Sequence, residues 1–244
     1  MPLTPTQVSH LENFLGYGRL DAPVWFVGME EGGGGPDNIR ARLKFGQVED
    51  CAEAHRTLRI PQYHRAERPV IQRTWGQMVR FMLVLQRREC SADEVRAYQA
   101  SQLGRSHGQT MLLELMPVPK RSLNERECVD LLPCYAVDGY RDEVRKKRIR
   151  LLRSVIARHE PLLVLCYGKA YWEHFSSLFP GAKFRTGGSG MLRPYQWARR
   201  GEQVLVLTHH LVAPSMNGWI APLAAHVRTL LPMGFAADLA ARPE

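Results

Sequence analysis

Four short apolar runs, each about the length of a buried strand, are spaced along the chain with helix-like segments between them. Runs of this kind that alternate with helices are typical of a parallel sheet, whose strands are buried on both faces. The runs span residues 24–29, 110–116, 162–167 and 204–208, and a hairpin is expected to feed the last of them. The pattern predicts an α/β protein, a three-layer αβα sandwich around a central four-stranded, mainly parallel sheet.

The length of the chain favours one domain. Its 244 residues, 45% of them hydrophobic, are enough to bury a sizeable core. We therefore expect a single domain over 1–244, with a charged, weakly patterned insertion at about 37–70. Two interpretations of the insertion stay open: a mobile segment, or a clamp over a ligand.

The charge balance is strongly basic, because 33 Lys and Arg residues stand against 24 Asp and Glu residues, a formal net charge of +9. Such a balance favours an anionic partner, with nucleic acid ahead of a membrane surface, although a merely basic protein has the same composition. The N-terminus lacks a signal-like pattern, and no run approaches the roughly 18 apolar residues of a membrane span. We expect a cytoplasmic monomer with no membrane contact.

A helix predicted over 142–159 has a basic face, which is more typical of solvated surface than of a binding site. Its members are Arg141, Arg145, Lys146, Lys147, Arg148, Arg150, Arg153 and Arg158. The five cysteines are scattered and never form a Cys-x-x-Cys pair, which predicts neither a disulfide nor a zinc ribbon. Cys166 lies within an apolar run, so we expect a small buried hydrophobe there.

The first apolar run ends in two carboxylates and a glycine tract. Glu30 and Glu31 are followed by glycine at each of 32–35. Loops at the carboxyl ends of parallel strands hold the chemistry of many α/β proteins, and glycine lets a backbone pass close to a ligand. A carboxylate there can act as a general base. His209 and His210 follow the fourth run, and the joint occurrence favours function over ordinary loop acids and strand-end histidines.

Four segments resemble, in this order, motifs of the uracil-DNA glycosylase superfamily. The first is an apolar strand ending in Val-Gly before a loop that positions the hydrolytic water. The second is a strand end followed by prolines, and the third is a strand that ends in glycine before a helix. The fourth is similar to a His-Pro-Ser segment, although residues intervene here between histidine and Pro-Ser. They span 26–32, 112–121, 161–170 and 206–215. The resemblance implies that family's fold and hydrolysis of the N-glycosidic bond of a base flipped out of DNA.

The resemblance also implies catalytic roles at two strand ends. The reaction passes through a sugar cation and a departing base anion, much as glycoside hydrolysis does. Glu30 stands where single-acid members of the family have an aspartate, so it is the first candidate for orienting water, with Glu31 second. His209 or His210 would stabilise the negative charge on the base.

Two departures from the family pattern concern the base. Glu114 replaces the asparagine with which many uracil enzymes recognise their base, and an ionised glutamate only accepts hydrogen bonds, as from the exocyclic amine of cytosine. Gly32 replaces an aromatic that blocks the pyrimidine 5-position, although some iron–sulfur members also have glycine there. The two departures favour a 5-modified cytosine over uracil, as in phage DNA, and superfamily members are known that excise such bases in antiviral defence.

Further residues are expected to hold the base and the DNA. At the base they are Gly28, Met29, Gly32 and the stacking candidate Phe45. Trp75 is a second stacking candidate, although its helical spacing with apolar neighbours is more typical of core. DNA contacts are expected from Lys120, Arg121, Gly168, Lys169, Ser215, Met216 and Asn217. Met216 and Trp219 are either part of a wedge that fills the gap left by the flipped base or core packing.

We expect no cofactor and no metal, since the chain lacks the four-cysteine pattern with which iron–sulfur members hold their cluster. Three alternatives stay open: a uracil-DNA glycosylase of base-excision repair, a non-catalytic DNA-binding module with the same fold, and a nucleotide-binding protein that uses glycines 32–35. Neither G-x-G-x-x-G nor G-x-x-x-x-G-K-[ST] occurs, and paired carboxylates repel phosphate, which argues against the last.

Overall fold

The computed structural model describes residues 1–64, 67–119, 126–188, 194–216, 218–235 and 239, without the side chains at 126, 127 and 215. It is a mixed α/β structure in which one central sheet is flanked by helices. The strands are β1 Gly16–Gly18, β2 Val24–Glu30, β3 Val48–Glu49, β4 Thr110–Met116, β5 Leu163–Tyr167, β6 Arg185–Gly187, β7 Tyr195–Arg200 and β8 Gln203–Thr208. The helices are α1 Pro5–Asn13, α2 Pro36–Arg42, α3 Cys51–Thr57, α4 Arg73–Leu85, α5 Ala92–Ser101, α6 Arg126–Leu131, α7 Tyr140–His159, α8 Trp172–Ser176 and α9 Ile220–Leu230.

The strand order is β3-β1-β4-β2-β5-β8-β7-β6. The central group β4-β2-β5-β8 is parallel throughout. On the two outer sides, β1 pairs antiparallel with β4 and β7 pairs antiparallel with β8. Along the chain, β4 is therefore added on one side of β2, and β5 and β8 are added later on the other side of β2.

The prediction of a four-stranded sheet was wrong, because the sheet has eight strands. The four predicted runs are the four parallel strands at its centre, and β7 is the expected hairpin partner of β8. The strands β1, β3 and β6 have only two or three residues each, too few to produce a hydrophobic pattern. In β1, Gly18 has φ +118° and a side chain there would overlap the carbonyl of Thr110, so close pairing with β4 requires glycine.

Alternation along the central strands divides the core between the two faces of the sheet. In β2, Val24 and Phe26 pack on the face covered by α4 and α9, whereas Trp25 and Val27 pack on the face covered by α7 and α8. All four side chains are at most 1% exposed. Helices on both faces explain why the central strands are apolar on both sides.

The basic face predicted over 142–159 is solvated only in part. α7, a helix of 20 residues, buries Arg148, which is 2% exposed. Arg148 lies four residues from both Val144 and Leu152, so it belongs to the apolar stripe of the helix and not to its basic face. In the described parts of the chain, no helix is both long and apolar enough to cross a membrane.

The insertion expected at about 37–70 has regular structure in its described residues, since it contains most of α2, β3 and all of α3. Asp50 caps α3 by accepting hydrogen bonds from the backbone N–H groups of Ala52 and Glu53 at 3.0 and 3.2 Å. It also accepts from Arg105 Nε and Ser106 N, both at 2.9 Å. Burial acts to raise the pKa of Asp50, but the hydrogen bonds from Ser106, Arg105 and Glu53 outweigh it and lower the pKa. The cap therefore fixes α3 against the segment that precedes β4.

Candidate active site

The carboxyl ends of the four central strands meet at one edge of the sheet, where α/β proteins bind ligands next to the point at which strand order reverses. Here that point lies between β2 and β5. A cleft of about 420 Å³ opens at this edge, which is within the range of ligand pockets. Its strand-end wall is formed by Glu30, Glu31, Gly32, Glu114, Tyr167 and His210. Its outer wall is formed by His55, Ile60, Tyr63, Gln72, Thr74 and Trp75.

Glu114 and Tyr167 meet across the strand that separates them. Glu114 pairs in register with Gly28 of β2, and Tyr167 ends β5 on the other side. The Tyr167 hydroxyl donates to Glu114 Oε1 at 3.0 Å. A Cβ atom on Gly28 would overlap both the Glu114 carboxyl group and the Tyr167 hydroxyl. Gly28 is therefore required so that the two side chains can meet over β2.

The Glu114 carboxyl group lies in an environment that favours its neutral form. Burial, the first cause, and the nearby carboxylates of Glu31 and Glu30 raise its pKa to about 8, although Tyr167 and Arg148 act the other way. Oε2 is buried and has no hydrogen-bond partner among the described residues. At neutral pH this group is mostly protonated, so it can donate as well as accept. The expectation of an ionised Glu114 that only accepts does not fit these surroundings.

The side chain of Arg148 binds the backbone near the end of β4. Its guanidinium donates to the backbone carbonyls of Glu114 at 2.9 Å, Glu12 at 3.1 Å and Leu115 at 3.3 Å. Burial lowers the pKa of Arg148 to about 10. The main chain that bears Glu114 is thus held by a buried cation that sequence reasoning placed on a solvated face.

Each of the two loop acids is held by an arginine from a different helix. Arg141, in the first turn of α7, binds Glu30 Oε2 at 2.6 Å, and the Glu30 side chain is 11% exposed. Arg42 of α2 binds Glu31 Oε2 at 2.9 Å, and Tyr17 donates to the same oxygen at 3.1 Å. The Glu31 side chain is 26% exposed. The acids therefore lie in the cleft with fixed orientations.

The two histidines have different positions. The ring of His210 lines the cleft and meets Tyr167 edge-on at 5.5 Å between centroids. Partial burial lowers the pKa of His210, so its imidazole is neutral at pH 7. His209 is half-buried against Trp172, at 6.1 Å between ring centroids, and is not among the residues that line the cleft. Of the two, His210 is the one that lines the cleft.

Gly32 lies at the mouth of the cleft, and a Cβ atom built on it would have no atom within 4 Å. There is thus room beside the backbone at this point. The position that was expected to leave space for a substituent on the base is open.

Several other expected residues lie away from the cleft. Phe45 is 4% exposed in the core, with its ring 5.5 Å from that of Phe14, and Met29 packs between apolar clusters on the α7 face. Met216 is 3% exposed in the core, which fits the packing alternative and not a wedge. Their apolar side chains are held by neighbours of the same kind, which position in the sequence did not reveal.

The expected DNA contacts can be placed only in part. Gly168 is buried after β5, and the exposed Lys169 has its ammonium group 6.0 Å from the Trp172 ring. Neither residue lines the cleft. Lys120, Arg121, Asn217 and the side chain of Ser215 lie outside the described residues.

Of the outer wall, the sequence named only Trp75 as a candidate, although it left open that the insertion at about 37–70 clamps a ligand. The ring of His55 stacks on Trp75 with centroids 4.8 Å apart and an angle of 22°, and Tyr63 meets Trp75 edge-on at 5.6 Å. Burial first, then His64 and Arg42, lowers the pKa of His55 to about 3, so its ring is neutral. Trp75 packs against the core and also lines the cleft, so the helical spacing that suggested core described only half of its surroundings.

An inner recess of about 40 Å³ adjoins the cleft, with room for about three water molecules. Glu31, Trp75, Glu114 and Tyr167 line both spaces. Aromatic rings of Phe14 and Tyr17 form part of its lining. The site therefore combines flat apolar surfaces with several carboxyl groups, as expected of a site that binds a planar polar ring.

No protein-family model matches the chain, and a search of curated proteins finds no match either.

Proposed function

We propose that this chain is a monofunctional DNA glycosylase, which flips a base into the cleft and hydrolyses its N-glycosidic bond to leave an abasic site. The observation that supports it most is the position of Glu30, Glu114 and His210 on one wall of a single cleft. These residues come from the ends of three different strands. They are the groups that the reaction needs for water, base recognition and the leaving anion.

Glu30 is assigned to the sugar side of the reaction. Its carboxylate, held by Arg141 at 2.6 Å, orients a water molecule and stabilises the sugar cation as the bond breaks. Glu31 is the second candidate, held by contacts with Arg42 and Tyr17. A role for Glu31 in shaping the field around Glu114 follows from its effect on the pKa of that group.

His210 is assigned to the base side. A neutral imidazole can donate a hydrogen bond to the oxygen on which negative charge develops as the base departs. The lowered pKa of His210 fits a neutral donor, and its contact with Tyr167 places it beside the residue that holds Glu114. The base anion would therefore form between His210 and the Glu114 carboxyl group.

Glu114 is assigned to recognition of the base edge. A protonated carboxyl group can donate to cytosine N3 and accept from the N4 amine at the same time. It can also accept from uracil N3–H and donate to O4, which keeps the uracil alternative open. The space beside Gly32 is what favours a base with a substituent at the 5-position. We therefore propose a 5-modified cytosine, as in phage DNA, as the preferred base, with antiviral defence as the corresponding role.

DNA is the proposed partner because the chain has a formal net charge of +9. The test is a panel of duplex and single-stranded DNA that contains uracil, 5-hydroxymethylcytosine, its glucosylated form or unmodified cytosine at one position. Alkali-labile strand breaks report abasic sites. We expect the most product from a 5-modified cytosine. DNA binding without product from any base would instead favour the non-catalytic module.

Glu114→Asn tests the recognition role. The amide restores the group that many uracil enzymes of the resembled family use, so we expect the preference to move from cytosine-type bases towards uracil. Glu202→Gln, in the exposed turn between β7 and β8, is the control and should leave the preference unchanged. An unchanged preference in Glu114→Asn would remove Glu114 from base recognition.

A further inference from the structure

A cysteine and two histidines converge behind the outer wall of the cleft. One ligand atom from each of Cys51, His55 and His64 lies within 4.8 Å of the others. Cys51 and His55 are buried and His64 is half-buried. His55 lines the cleft but Cys51 and His64 do not, and the glycosylase chemistry proposed above assigns no role to any of the three.

The local sequence explains the convergence. Cys51 and His55 are four residues apart on α3 and therefore lie on one face of the helix. The backbone N–H of Ile60 donates to the carbonyl of His55 at 2.9 Å, and that of His64 donates to Pro61 at 3.0 Å. These two turns bring the chain back over α3. The rings of His55 and His64 meet edge-on, with centroids 5.1 Å apart.

The donor set suits zinc. One thiolate and two imidazoles are ligands that Zn²⁺ prefers, and three protein ligands with a fourth position for solvent or another molecule form a known type of zinc site. His55 Nδ1 is buried and has no hydrogen-bond partner among the described residues, as expected of a nitrogen that binds a metal ion. The charges nearest the cluster offset each other: Arg42 lies near His55, and Arg105 lies near Cys51 together with the carboxylates of Glu31 and Asp50.

The distances require only a small closure. In a tetrahedral zinc site the ligand atoms are about 3.3–3.6 Å apart, given Zn–N near 2.0–2.1 Å and Zn–S near 2.3 Å. The separations here, at most 4.8 Å, exceed that by at most about 1.5 Å, which rotations of the two rings can supply. Cys51 is fixed at the start of α3, where its N–H donates to the carbonyl of Gly104 at 2.9 Å. The two histidine rings therefore have to move to bring the ligand atoms closer together.

We propose that Cys51, His55 and His64 bind one Zn²⁺ ion, which ties α3 to the turn at 61–64. His55 also stacks on Trp75 in the outer wall, so the bound metal sets the position of that wall. The expectation of no metal rested on the cysteine pattern alone, whereas this site combines a cysteine and a histidine four residues apart on a helix with a second histidine. The proposal stands whether or not the cleft excises a base.

The test uses the full chain, purified with a tag that contains no histidine and stripped of metal with a chelator. Co²⁺ added to this protein should produce ligand-field bands of a tetrahedral site and a thiolate-to-cobalt charge-transfer band, both saturating at one equivalent. Zn²⁺ should displace the cobalt, and elemental analysis should find one zinc per chain. Absence of the charge-transfer band in the wild-type protein would overturn the proposal.

Variants identify the ligands. Cys51→Ser should abolish the charge-transfer band, and His64→Ala should weaken cobalt binding at least tenfold. Cys166→Ala removes a thiol that is equally buried in β5 and should leave the spectrum unchanged. A band that persists in Cys51→Ser would contradict the assignment. Since a variant can fail by unfolding, the melting temperature of the wild-type protein gives a second result: Zn²⁺ should raise it above that of the stripped protein, and no change would count against the site.

Discussion

The two walls of the cleft differ in what holds their side chains. In the strand-end wall, each carboxyl group has a specific polar partner: Arg141 for Glu30, Arg42 for Glu31 and Tyr167 for Glu114. In the outer wall, rings pack on rings, as His55 does on Trp75. The strand-end wall therefore controls charge and protonation, whereas the outer wall controls shape. Changes to the carboxyl groups of the first should alter pH dependence, whereas changes to the packed rings of the second should alter stability without that signature.

The largest expected effect concerns Glu114. Its pKa in the folded state, about 8, lies above its ordinary value of 4.5, so the folded protein keeps a proton that the unfolded chain releases. The contribution of Glu114 to the free energy of unfolding is therefore greatest below pH 4.5. It falls by about 1.4 kcal/mol per pH unit as the pH rises towards 8. Glu114→Gln has no proton to lose, so its stability relative to wild type should increase across that interval.

Urea unfolding of both proteins between pH 5 and pH 9 measures this difference. Glu202→Gln, an exposed acid, is the control and should follow the wild-type profile. Parallel profiles for Glu114→Gln and wild type would show that Glu114 is not held neutral by the strand-end wall.

Gly28→Ala tests how closely the strand-end wall is packed. The new methyl group would overlap the Glu114 carboxyl group and the Tyr167 hydroxyl, so we expect a loss of about 1–3 kcal/mol in the free energy of unfolding. Gly32→Ala is the matched control, because a Cβ atom there has open space around it. Its stability should stay within about 0.5 kcal/mol of wild type. Equal effects of the two substitutions in urea unfolding would contradict the packing described for Gly28.

Asp50→Ala tests the support of the outer wall. Loss of the cap on α3 should cost about 1–2 kcal/mol at neutral pH. Because the pKa of Asp50 is lowered below its ordinary value of 3.8, its stabilising effect is present above that value and is lost as the pH falls through the folded pKa. Thermal melts of wild type and variant should therefore converge in acid. Asp138→Ala, at an exposed position, should show neither effect.

The smallest effect is expected from Tyr167→Phe. Removal of the hydroxyl that donates to Glu114 should cost about 1 kcal/mol and raise the pKa of Glu114 further, since that hydrogen bond acts to lower it. Carbon-detected NMR of labelled glutamate follows the titration. Tyr195→Phe is the control, because the Tyr195 hydroxyl has no partner among the described residues. An unchanged Glu114 titration in Tyr167→Phe would show that the Tyr167 hydroxyl does not affect the pKa of Glu114.

The same division explains what the sequence could predict. The central parallel strands were predicted because their apolar runs are fully buried. The strand-end acids and the pair His209 and His210 followed from the rule that chemistry lies at the carboxyl ends, but the choice between the two histidines did not. The short edge strands were missed, since Gly16–Gly18 has no hydrophobic pattern and is specified by its contact with β4. The partners of the acids were missed as well, because Arg42 and Arg141 come from distant helices.

The protonation of Glu114 could not be predicted, because it depends on burial and on two neighbouring carboxylates that are far away in sequence. Three residues of the outer wall, His55, Ile60 and Tyr63, lie in the charged insertion, where nothing distinguishes them from surface residues. Arg148 did leave a signal. It lies in the apolar stripe of α7 between Val144 and Leu152, and a cation at such a position is expected to be buried and to bind backbone carbonyls, as Arg148 does.

The most direct test of the proposed site compares wild type with Glu30→Gln in single-turnover release of the free base from modified DNA, measured by mass spectrometry. We expect release by wild type, a rate lower by about 100-fold or more in Glu30→Gln, and equal DNA affinity. Glu143→Gln, an acid paired with Lys146 on the surface of α7, should react as wild type does. Equal rates for Glu30→Gln and wild type, or no free base from either, would contradict the assignment of Glu30 as the residue that orients water in the cleft.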